Sequence, residues 1–90
     1  MNPKLQLMLA DAGLIPVPDT HKKMYASLGI TGVREYPEEI RPLYEKMGER
    51  ASQMLQHEAE GKDIVADEIV LARGVVELDV MRTVYSWKPA

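Results

Sequence analysis

The chain contains no cysteine and no phenylalanine. Without cysteine there can be no disulfide, no thiolate nucleophile and no zinc site built on sulfur, and a reducing compartment suits it. Without phenylalanine, bulky packing falls to four tyrosines, one tryptophan and six methionines, the last being flexible side chains that fill irregular gaps. Basic charge is also scarce. Eleven Lys and Arg stand against fourteen Asp and Glu, for a net charge of −3, and Lys22-Lys23 is the only basic doublet. Phosphate recognition needs a basic face, so a nucleic-acid partner is not expected. No run approaches the ~18 consecutive apolar residues of a membrane span, so no membrane role is expected either. The apolar stretch 5–9 lacks a basic flank followed by a small-residue cleavage site, so it does not read as a secretory leader. Cytoplasm is the expected location.

What is present is ordinary globular composition: 46% hydrophobic and 28% charged over 90 residues. That predicts one small folded domain, 1–90, and not a disordered chain. A chain this short buries a modest core and often needs a partner.

Two short elements open the chain, over residues 1–36. Asn2 is a suitable N-cap, Pro3 suits a first helical position and Gly13 a stop, which predicts a helix over 3–12 with Leu5, Met8, Leu9 and Ala12 on one face. Leu14 to Pro18, with two prolines, reads as an extended strap over a core. A second short helix is expected over 20–28, capped by Asp19, with His21, Met24, Tyr25 and Leu28 on one side. Gly29-Ile30 then has the pattern of a left-handed stop and a hydrophobic anchor.

Residues 37–90 carry the longer helices. Pro42 would break a helix begun at Pro37, so a separate turn is expected over 37–41 and the main helix over about 42–59. Leu43, Met47, Ala51, Met54, Leu55 and Glu58 trace its face, and Gly61 is its stop. The last segment, about 64–87, has two apolar stripes at about 100° per residue. Val65, Ile69, Ala72, Val76, Val80 and Trp87 form one; Val70, Leu71, Gly74, Leu78, Met81 and Tyr85 form the other. A surface helix needs a single stripe, so this one is expected to be packed on both sides, by its own chain or by another subunit. The competing reading is a β-hairpin: Val76 to Val80 alternates, Arg73-Gly74 resembles a turn, and Thr83 to Trp87 has strand composition. The fold class expected is therefore all-α, a long antiparallel helical hairpin covered by two short N-terminal helices, with α+β as the alternative.

Gly48 and Gly74 each lie thirteen positions from Gly61. In a hairpin they would stand at matching heights, and small residues at one level let two backbones approach. A helix crossing is expected there.

No catalytic chemistry can be assembled. His21 and His57 are the only histidines, and the residue three before His57 is Met54, which breaks the Glu-x-x-His pattern of di-iron bundles. His57 reads as a solvated residue near a helix carboxyl end, and Asp63, Asp67 and Glu68 as dipole complements at a helix start. Asp79 with Arg82 and Arg73 with Glu77 have helical pair spacing. The expectation is a non-enzymatic interaction or assembly module without cofactor or metal, self-associating through Val65, Ile69, Val76, Val80 and Trp87. The partner would be a second copy or a larger protein. Two alternatives are an accessory subunit of a multi-subunit enzyme and an assembly or inhibitory protein of phage or mobile-element type.

Overall fold

The computed structural model describes residues 1–86. It contains helices α1 (Pro3–Asp11), α2 (Lys22–Ser27), α3 (Arg41–Ala59) and α4 (Val65–Ser86), with 3-10 turns at Asp19–His21 and Glu38–Ile40 leading into α2 and α3. No strand occurs among the described residues, so the β-hairpin alternative is not formed and residues 65–86 are one helix. Burial explains the outcome. In a strand, Leu71 and Leu78 would point to opposite faces; in the helix both reach the same side, and both are fully buried. That burial outweighs the strand preference of the surrounding valines, which is itself a context-dependent quantity.

Local chemistry sets the boundaries. The Asn2 side chain accepts hydrogen bonds from the Lys4 and Leu5 amides at 2.8 and 3.3 Å, which covers open donors at the start of α1. α1 and α2 then end alike. Gly13 and Gly29 both have φ of 76°, and the amides of Leu14 and Ile30 donate back to the carbonyls of Leu9 and Tyr25, each at 2.9 Å. This is the Schellman arrangement, completed by burial of Leu14 and Ile30. α3 starts at Arg41, so Pro42 sits in the first turn, where a missing N–H breaks no helical hydrogen bond. Asp63 accepts from the Val65 amide at 2.9 Å at the start of α4.

Two expectations for α2 need correction. Asp19 makes no capping hydrogen bond; it pairs instead with Lys22 at 3.2 Å. Tyr25 alone of the expected face is buried, while His21, Met24 and Leu28 stay exposed. A helix of six residues is too short to present a stripe and delivers one side chain to the core.

The core joins Met47, Ala51 and Met54 of α3 to Leu71, Val75 and Leu78 of α4, with Leu5, Leu9 and Ala10 of α1 against them. Leu14 and Ile15 of the strap close one edge, and Ile40 closes another. The last turn of α1 has no basic side chain. Just beyond it tyrosines meet the backbone: the Tyr36 hydroxyl donates to the carbonyl of Ala12 and the Tyr44 hydroxyl to that of Gly13, and the two rings lie 4.6 Å apart. Burial pushes the Tyr36 phenol up from its ordinary value, keeping it a donor. Arg34 adds an ion pair to Asp11 at 2.9 Å. The molecule measures 50 × 29 × 16 Å. A thickness of 16 Å accommodates two layers of helices about 8–10 Å apart and no third. Among the described residues no helix is long and apolar enough to cross a membrane.

Candidate interaction surface on α4

α4 meets α3 along the second of its stripes. Leu71, Gly74 and Leu78 are buried there, and Met81 is half-buried. Val70 and Tyr85, at the margins of that stripe, are exposed. α1 lies along one side of the helix, buries Val75 and half-covers Ala72. The rest of the first stripe is open. Val65, Ile69, Val76 and Val80 are between 52% and 56% exposed, and Val84, one turn beyond Val80, is 62% exposed. Trp87 lies outside the described residues. A shallow groove runs between α1 and α4 beside these side chains. Leu5, Met8, Val65, Ile69 and Ala72 line its first part together with Asn2, Lys4 and Glu68, and Met8, Ala12, Val76 and Val80 its second together with Asp11, Arg34, Tyr36 and Asp79.

Among the described residues, one flank of α4 is therefore covered and only the edge of the other. Val84 was not assigned to either stripe by the periodicity, because it falls between them. Its spacing of four from Val80 is the signal that places it on this face.

The two glycines expected at a helix crossing have different surroundings. A Cβ on Gly74 would fall 2.0 Å from the Met47 sulfur, whereas a Cβ on Gly48 would meet nothing within 4 Å. The approach is a methionine laid on a glycine. Equal distance from the turn matches heights only; the direction of each side chain around its helix decides contact, and at this level that side chain belongs to Met47.

The acids of the first turn of α4 are also more than dipole complements. Asp67 is 4% exposed. Its carboxylate faces the His57 Nδ1 at 2.9 Å and the Arg50 guanidinium at 3.2 Å, both from α3. His57 is thus tied to α4 and not merely solvated. Arg50 also donates to Gln53 at 3.3 Å, while its Nε is buried without a partner among the described residues. Glu68 accepts from the Asn2 amide at 2.9 Å, and Glu58 takes the Met1 ammonium, a hydrogen bond that raises the ammonium's pKa against the opposing effect of its burial. No signal within one helix could reveal these ties, since their partners are remote in sequence. Among the described residues no three His, Cys, Asp or Glu side chains gather as metal ligands.

Asp67→Asn is expected to lower stability by about 1–3 kcal/mol, because Arg50 loses its charged acceptor at a buried carboxylate. The partners are about a third exposed, 35% and 33%, so the loss falls short of a fully buried pair. Urea denaturation at neutral pH checks it; an unchanged midpoint would show that the cluster does not tie α3 to α4. No family model, curated protein or solved structure matches the chain.

Proposed function

We propose that α3 and α4 form an antiparallel hairpin whose outer α4 face is the docking surface of a non-enzymatic interaction module, and that the partner is a second copy of this chain. One observation supports it above others: Val65, Ile69, Val76, Val80 and Val84 share one face of α4 and each is more than half exposed. Scattered surface aliphatics need no explanation, but five in a row along one helix form a contiguous patch of the kind that marks an interaction site. None of the described residues covers it. The residues of α4 that the other described residues leave bare are the ones a second molecule would bury.

Sedimentation velocity over a concentration series tests this reading. The chain is expected to shift from monomer to dimer as concentration rises. The Val76→Glu, Val80→Glu double variant is expected to weaken association by roughly a hundredfold or more, since two carboxylates would enter an apolar seam. Its circular dichroism and melting as a monomer should match the parent, because both positions already face water. A parent chain that sediments as a monomer throughout would overturn the proposal. Association that survives the double variant would move the interface elsewhere.

A further inference from the structure

Six charged residues lie on α4. Four are engaged: Asp67 with His57 and Arg50, Glu68 with the Asn2 amide, and Asp79 with Arg82 at 2.8 Å. Arg73 and Glu77 make no ion pair or hydrogen bond among the described residues. They are exposed, four residues apart, on the open side of the helix. Their order is the weaker one for pairing within a helix, where the acid does better on the N-terminal side. Two opposite charges thus stand unmatched beside an apolar stripe.

Resting on the self-association proposed above, we infer that two copies pair α4 against α4 in antiparallel about a twofold axis level with Val75, each copy's Arg73 meeting Glu77 of the other. The axis follows from the spacing. Arg73 and Glu77 stand two residues before and after Val75, so reversing the helix about that level exchanges their heights, and the twofold makes two identical ion pairs. The same operation sets the apolar residues. Val80 lies five residues beyond the axis, level with Val70 and within one residue of Ile69 from the second copy. Val84, nine beyond, falls level with Ala66 and next to Val65. The two Val76 side chains flank the axis, about 3 Å apart in height at 1.5 Å per residue. A parallel pair would instead set Arg73 level with Arg73 and Glu77 level with Glu77, the like-charge arrangement that interfaces avoid.

Two experiments on the full chain test the register. The chain has no native cysteine, so single thiols report proximity with a short bismaleimide. Val76→Cys is expected to crosslink to itself. An equal mixture of Ile69→Cys and Val80→Cys is expected to give the mixed dimer in excess over either self-linked product. Arg73→Glu alone and Glu77→Arg alone should each weaken the dimer about tenfold by sedimentation, since each replaces two attractions with two repulsions, and the combined swap should restore it. A dimer in which Ile69→Cys links mainly to itself would overturn the antiparallel register and leave self-association standing. A dimer indifferent to both single reversals would overturn the charge pairing. A chain that never dimerises would sink this inference together with the reading beneath it.

Discussion

Gly74→Val is expected to cost this fold about 3 kcal/mol, the upper end of ordinary overpacking. Even the first carbon of a side chain there would come within 2.0 Å of the Met47 sulfur. Met47 is itself buried on α3, 7% exposed, so its side chain must repack to make room. For a domain of this size such a loss lowers the melting temperature by about 12 °C or more, at about 4–8 °C per kcal/mol. The companion change has the opposite sign. Gly48→Ala adds a Cβ where nothing stands within 4 Å and removes a helix-interior glycine, so it should stabilise by about 1 kcal/mol. Two glycines equally distant from one turn are thus expected to differ by several kcal/mol in what they tolerate. Combining Gly74→Val with Met47→Ala isolates the crowding: the double variant should lose less than the sum of its parts, because the smaller side chain makes room. Additive losses, or a Gly74→Val that melts with the parent, would show that the helices do not close on Met47.

The elements were legible where the deciding physics is local. Asn2, Gly13, Gly29 and Gly61 mark their boundaries through hydrogen bonds that span a handful of residues, and Pro42 forced the separate turn before α3. The periodicity of Leu71 and Leu78 likewise revealed the buried side of α4. Contacts between remote residues were not legible. The tie of Asp67 to His57 and Arg50, and the tyrosine hydroxyls on the end of α1, need two or three elements to be placed before any residue looks unusual. For the outer stripe the pattern was visible but its coverage was not. Whether Val76 and Val80 are buried depends on where α1 lands, and α1 lands to one side. Arg73 and Glu77 illustrate the same limit. Their spacing suggested a pair within the helix, yet neither has a partner among the described residues.

Leu78→Ala and Val80→Asp, two residues apart on one helix, should separate what holds the monomer from what joins two copies. Leu78 is fully buried, and its truncation is expected to cost about 2–5 kcal/mol, the transfer free energy lost plus the void left between α3 and α4. That loss belongs to the folded monomer and should appear at every protein concentration. Val80 is 56% exposed, so in dilute solution Val80→Asp should change stability by no more than about 0.5 kcal/mol, as surface substitutions do. Concentration reverses the contrast. If dimerisation covers Val80, association adds to the apparent stability of the parent by mass action, and its melting temperature climbs as the protein is concentrated. Val80→Asp should abolish that climb while Leu78→Ala, melting lower, retains it. Parallel melting curves for the parent and Val80→Asp across the whole concentration range would mean that the outer face of α4 stays in water. α1 and α3 supply hydrocarbon for one side of the 22-residue α4, and under the proposed self-association a second copy of the same helix would supply hydrocarbon of matching length and complementary charge for the other.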